Sequence, residues 1–362
     1  MADYCIWKKT SALLPDKKEK KFKPLVNAYA HLTKWFNPQL TIDVEGAEKE
    51  IEKLFPIRIQ SATGVRGQVL MQKADGRFKA MRAVKRLASG DFYHKVDDNI
   101  GRFHSNLTGL KKELRNYITY DGKRLVNLDI KNSQPLLSGV LLKPKFYERG
   151  EFFNIWSIKS LDSLLNNKLY ILQHSIPSIL NSIMLGESAE SLIHKEFQEY
   201  LGITQSGNFY EAITPVLYPG ERKDRQDIKT DVYIIFFSKN KCGRRLKKNK
   251  MPFKKYFPTI YAIFNALKKH NQKVLSHILQ RIESHIVIEK ATRRIAEERP
   301  ELPIFTIHDS IATTVGDEEY VESVLKEEIK AITGLTASIG KEYWGKLGVI
   351  SDVSMMQLEK AI

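Results

Sequence analysis

A chain of 362 residues can bury a substantial core across two or three lobes, so it needs neither disulfides nor a structural metal to fold. Lys and Arg outnumber Asp and Glu by 58 to 42, and the resulting net charge of +16 favours a polyanionic partner, nucleic acid first, through counterion release. Cys5 and Cys242, outside any CxxC pair, exclude a zinc cage and a disulfide framework; no apolar run reaches the roughly 18 residues of a membrane span, and no signal-peptide core follows Met1. A cytosolic setting is the expectation.

In chain order, the first hundred residues read as helical and highly charged. The run from Asp16 to Lys23 suits a solvated face or a phosphate-backbone contact. Ala47, Ile51 and Leu54 give helical spacing over Val44 to Leu54, stopped by Phe55-Pro56. A basic helix follows through Gly76 to Leu87, with Phe78, Met81, Val84 and Leu87 on one face. A turn-rich stretch, Gly101 to Leu110, then leads to Asp121-Gly122, a tight-turn signal with strands expected on both sides. The strand beyond it, Arg124 to Asp129, ends in an aspartate, and Asn132-Ser133 can cap a helix starting near Gln134-Pro135.

The middle of the chain, about 146 to 260, reads as helices, with Phe152 to Leu165 and Leu169 to Leu185 apolar at helical spacing. Arg225, Lys229, Tyr233 and Phe237 recur every fourth residue and so fall on one stripe of a single helix. Two cations at one end could hold phosphates, and two aromatics at the other could stack on a base. A helix or helix pair spans Thr259 to Glu298 before Pro300. Ile304 to Ile307 and Ile311 to Val315 flank His308-Asp309-Ser310 as a β-hairpin, and Glu318 to Ile332 forms a closing amphipathic helix.

Asp129 alone is more readily a helix cap, and Asp309 alone a turn residue. Together they are suited to nucleotidyl transfer, which uses two magnesium ions about 4 Å apart, one at the attacking hydroxyl and one at the leaving oxygen. Magnesium takes hard oxygens and keeps several waters, so Asp129, the Ile130 carbonyl and Asp309 would suffice with substrate phosphates.

The ordered set from Gly101-Arg102-Phe-His-Ser105 through Asp129, Ser133-Gln134, Arg225-xxx-Lys229-xxx-Tyr233-xxx-Phe237 and Leu279-Gln280 to His308-Asp309-Ser310 resembles the family A DNA polymerases and their relatives, the phage-type single-subunit RNA polymerases. The resemblance implies an α+β right-hand polymerase. Residues 1–100 would be a reduced, helical, thumb-like region, 101–145 and 261–362 an antiparallel-sheet palm, and 146–260 helical fingers. It further implies metal binding by Asp129 and Asp309, nucleotide binding by Arg225, Lys229, Tyr233 and Phe237, and primer or template contacts by Arg102, Gln280 and His308. Gln134 would stand where a side chain screens the sugar 2′-position. Ser310 is the RNA enzymes' residue, Tyr233 leans towards the DNA enzymes, and Phe237-Ser238 replaces their tyrosine-glycine.

The expected partners are a DNA primer-template, or RNA, and nucleoside triphosphates, with two Mg2+ as cofactor. The expected state is a monomer, with or without an accessory replication protein. The leading expectation is a DNA-directed DNA polymerase without a proofreading exonuclease, for which the first hundred residues are too short. An RNA polymerase or primase, a magnesium-dependent nuclease and a non-catalytic nucleic-acid-binding protein are the alternatives.

Overall fold

The structure is a computed structural model and describes residues 27–56, 65–158, 160–165, 176, 187–241 and 243–345. Its strands in chain order are β1 (Leu40–Ile42), β2 (His94–Val96), β3 (Phe103–Ser105), β4 (Ile118–Tyr120), β5 (Lys123–Ile130), β6 (Ile304–Ile307), β7 (Ser310–Thr314) and β8 (Ile339–Tyr343). The main helices are α1 (Val44–Leu54), α2 (Val65–Ala88), α3 (Ser133–Ser138), α4 (Glu187–Gln205), α5 (Phe209–Leu217), α6 (Arg225–Phe237), α7 (Arg244–Tyr256), α8 (Pro258–Leu267), α9 (Lys273–Ser284), α10 (Thr292–Glu298) and α11 (Glu318–Thr333).

Two tight turns generate the central sheet. Asp121 and Gly122 both have positive φ, 50° and 71°, as a two-residue hairpin between right-twisted strands demands. They join β4 to β5, with Tyr120 opposite Lys123. His308, with φ of 56°, begins the second turn and sends β6 back as β7, with Ile307 opposite Ser310. All pairings are antiparallel, in the order β1-β4-β5-β7-β6, and β8 also pairs with β5.

β5 is the central member. Its residues from Leu125 to Asp129 lie opposite β7 on one edge, while Val126 to Ile130 lie opposite β8 on the other. Leu125, Val126 and Leu128 are fully buried, which is why this strand reads as a continuous apolar run instead of an alternating one. α9 packs against α3, and α11 against β5 and β7.

Several expectations change. β1, within the first hundred residues, pairs with β4 and so shares the sheet and its core with the later chain. Phe152 to Leu165 is not one helix: a 3-10 turn at Ile155–Ser157 precedes a short helix at Ser160–Leu164. Periodicity alone marks both as buried without fixing their continuity. The stretch from Thr259 to Glu298 breaks after α8, and α9 runs through a π-helical turn, His285–Ala291, into α10. Phe78 is 39% exposed, whereas Val84 and Leu87 on the same helix are buried. Residues 16–23 lie outside the described residues, as does 169–185 apart from Ile176, which is buried. Among the described residues no helix is long and apolar enough to cross a membrane.

Candidate active site

The sheet register brings the two aspartates to one place. Asp129 lies opposite Ser310 on β7, so Asp309, one residue earlier in the turn, stands beside the end of β5. The Ile130 N–H donates to the Asp309 carbonyl at 3.5 Å. Asp129 is exposed at the end of β5, but the protein packed around its carboxylate displaces part of its water. This burial, then the charges of Asp309 and Glu342, raise its pKa to about 7 against the pull of Lys112 and Lys229. A carboxylate whose ionisation is disfavoured in this way is stabilised by a cation placed beside it.

The donor set fits magnesium, which takes few protein oxygens and retains water. Among the described residues no group of three or more His, Cys, Asp and Glu side chains is arranged to hold a metal ion. The side chains the sheet register brings together here are two carboxylates, and Ile130 lies in the β5–β8 ladder opposite Ile339.

Local propensity gives Ser133 a share in capping a helix, and the structure corrects this. The cap position is Asn132, at φ 54°, and its side chain makes no capping bond. The Ser133 hydroxyl instead donates to Asp309 Oδ2 at 2.5 Å, fixing one carboxylate oxygen.

α6 carries the predicted stripe as a single helix. Asp224 caps it by accepting from the Gln226 N–H at 2.7 Å, and Ile228, Val232, Ile235 and Phe236 bury the opposite face. Arg225 pairs with Glu211 at 2.8 Å and lies over the Tyr210 ring. Lys229 sits 5.8 Å from the centre of the Tyr233 ring, and Tyr233 and Phe237 rings are 5.7 Å apart. Tyr233 is 44% exposed. Burial, then the charges of Asp309 and Glu283, raise its phenol pKa, while Lys229 acts on Asp129 in turn. Lys229 and Tyr233 are thus within electrostatic reach of the aspartates.

A second group meets at Glu283, which is 1% exposed. Arg102 donates to its Oε1 through Nε at 3.1 Å and through Nη2, and Gln134 Nε2 donates to its Oε2 at 2.5 Å. Burial and the charge of Asp309 push the Glu283 carboxyl up to about 7, outweighing Arg102 and Gln134. Gln134 Oε1 is buried without a hydrogen-bond partner. Gln280 is partly buried on α9, one turn before Glu283.

His308 is partly buried, its ring edge-on to His104 with centroids 6.2 Å apart; burial, then Arg102, lower its pKa. Ser310 is fully buried, its hydroxyl shared between Asn127 Oδ1 and the Ile307 carbonyl, both at 2.8 Å. It faces the sheet interior, so the identity of this residue reports on packing.

Glu283, Tyr210 and the Ser133–Asp309 bond are absent from the sequence expectations. Glu283 leaves a signal: it interrupts the otherwise apolar face of Leu279, Ile282 and Ile286. Tyr210 leaves none, since a half-buried tyrosine beside an arginine is common. Here burial and Tyr233 raise its phenol to about 12, with a smaller push from Asp309.

No protein family's sequence profile matches this chain, and no curated protein matches it. Among solved structures it is similar to the POL domain of Pol1 from M. smegmatis in complex with DNA primer-template and dNTP, at 11% identity over 87% of this chain and 68% of that one. The TM-score is 0.34, too low to support inference about this chain.

Proposed function

We propose that this chain is a template-directed nucleotidyltransferase, a DNA-directed DNA polymerase without proofreading. The observation that carries the reading is the meeting of Asp129 and Asp309 at adjacent strand ends, within electrostatic reach of Lys229 and Tyr233 from α6. In this reading the antiparallel sheet, β1 included, is a palm, the helices from 146 to 260 are fingers, and the helices of the first hundred residues serve as a reduced thumb.

Asp129, Asp309 and the Ile130 carbonyl would hold magnesium, which when bound supplies Lewis acidity at the attacking and leaving oxygens. The chain's own residues do the rest. Ser133 holds Asp309 in one orientation. Lys229 is close enough to the aspartates to neutralise charge on a triphosphate set against them. Tyr233, half exposed, offers a face to a base, and Phe237 backs it. Arg225 can contribute to phosphate binding by exchanging Glu211 for a stronger anion. Arg102, Gln280 and His308 suit the primer end and the new base pair.

A ribonucleotide-using enzyme is the second reading, favoured by one observation. Gln134 Oε1 is a buried acceptor with no donor, and a sugar hydroxyl is a donor of the right kind.

The test incubates primed and unprimed templates with magnesium and either deoxynucleotides or ribonucleotides, using wild type, Asp129→Ala and Asp309→Ala. Extension by wild type and its loss in both variants is the expected result. No extension under any condition, or activity in both variants, overturns the proposal.

A further inference from the structure

Helix α7 is built against its own electrostatics. From Ser238 to Tyr256 the chain has nine Lys or Arg and no Asp or Glu, more than half the net charge of +16 in one short stretch. Arg244 and Arg245 occupy the first turn, where the helix dipole repels cations, and no acidic residue is there to offset them. Arg244 and Lys248, and Lys250 and Lys254, are like charges at i,i+4, which destabilise a helix. Pro252 in its interior adds a further local cost.

Lys250, Phe253 and Phe257 mark the buried side, with Lys250 Nζ donating to the Lys239 carbonyl at 2.7 Å. Away from that side the last turns of the helix face solvent. Met251, Lys254 and Lys255 are exposed there, and among the described residues Lys254 and Lys255 have no carboxylate within ion-pair distance. A row of cations on a helix that it destabilises, uncompensated at Lys254 and Lys255, marks a site where function overrides local consistency.

The C-terminal end of the row opens onto a recess of about 420 Å³, lined by Lys255, Tyr256, Lys195 and Leu192. Tyr256 is 47% exposed and Leu192 71%. The two carboxylates of the recess are already engaged. Glu196 accepts from the N–H groups of Thr259 and Ile260 at 2.9 and 3.1 Å, and Glu199 from the Tyr256 hydroxyl.

We propose that the exposed face of α7 and this recess bind single-stranded nucleic acid, the cations following the phosphates and the recess receiving an unstacked base. Charge complementarity selects a polyanion. The recess selects a single strand, because a duplex hides its base faces within the stack, whereas a single strand presents them to aromatic and apolar side chains. This surface does not depend on the chemistry proposed for the aspartates.

The test is fluorescence anisotropy of a labelled single strand and of a blunt duplex of equal length, titrated with full-length protein over a range of KCl concentrations. The proteins are wild type, Lys254→Gln/Lys255→Gln, the matching double Lys→Arg variant, and Tyr256→Ala. With each single-strand phosphate contact contributing about 0.7 to the slope of log K against log salt, the glutamine variant is expected to lose about 1.4 from that slope. The arginine variant should keep it. Tyr256→Ala should weaken single-strand binding about tenfold or more with little change in slope, as loss of base stacking does. Thermal melting should be unchanged or raised in the glutamine variant, since like-charge repulsion is relieved.

An unchanged slope in the glutamine variant overturns the proposal, and so does an equal loss of slope on the duplex. If wild type extends no primer but the single-strand slope responds as expected, the polymerase reading fails and this surface stands. Normal extension with an unresponsive slope removes this surface and leaves the polymerase reading intact.

Discussion

Replacing Glu283 with glutamine separates stability from function at the candidate site. The carboxyl has an ordinary pKa of 4.5 and is pushed up to about 7 in the fold by burial and Asp309. The folded state therefore holds this proton more tightly than the unfolded state. The group's stabilising contribution is complete below about pH 4.5, declines as pH rises towards about 7, and is gone above it. The difference between the two values corresponds to about 3 kcal/mol. Glutamine resembles the protonated acid: one acceptor, one donor, the same shape, no charge. Glu283→Gln should match wild type near pH 4 and become more stable by up to about 3 kcal/mol above pH 7, or roughly 5–10 °C in melting temperature.

Activity should move the other way. The carboxylate serves two donors, Arg102 and Gln134, with two oxygens, whereas an amide has only one. The new NH2 group can be satisfied only if Gln134 turns its unpartnered Oε1 towards it. Primer extension should fall about tenfold or more as these two side chains lose their orientation. Denaturation midpoints of both proteins from about pH 4 to about pH 9, with extension rates alongside, make the comparison. Parallel stability curves, or a variant that is less stable at alkaline pH, would overturn this assignment. They would mean that Arg102 keeps Glu283 ionised throughout.

Ser133→Ala removes the donor that fixes Asp309 and should raise the magnesium concentration for half-maximal extension about 10- to 100-fold, measured by metal titration. Tyr233→Ala should raise the KM for the incoming nucleotide by about 10- to 100-fold through lost stacking, with Tyr233→Phe near wild type in steady-state kinetics. Gly101 has φ of 71°, and a Cβ there would lie 2.9 Å from Arg281 Nη1. Gly101→Ala should therefore cost about 1–2 kcal/mol in denaturant unfolding.

Features that short-range geometry decides are legible in the sequence. Asp121-Gly122 and His308-Asp309 announce their hairpins because turn conformation depends on neighbouring residues, and both turns adopt the positive φ such residues tolerate. The α6 stripe is legible because a four-residue spacing on one helix needs no partner to define a face. Asn132 and Ser133 mark where such reading stops. Local propensity gives them a shared capping role, but the Ser133 hydroxyl pairs with Asp309, 176 residues away in sequence. Glu283 reaches Arg102 and Gln134 across separations of 181 and 149 residues. Ser310 shows the opposite error: read as a clue to the sugar used, it is a buried residue bonded inside the sheet. A motif position thus earns a functional role only when its side chain is accessible to substrate. By that criterion Ser310 carries no information about the sugar, and Gln134, bonded to Glu283 with its Oε1 buried, is held in place by a residue the sequence did not single out.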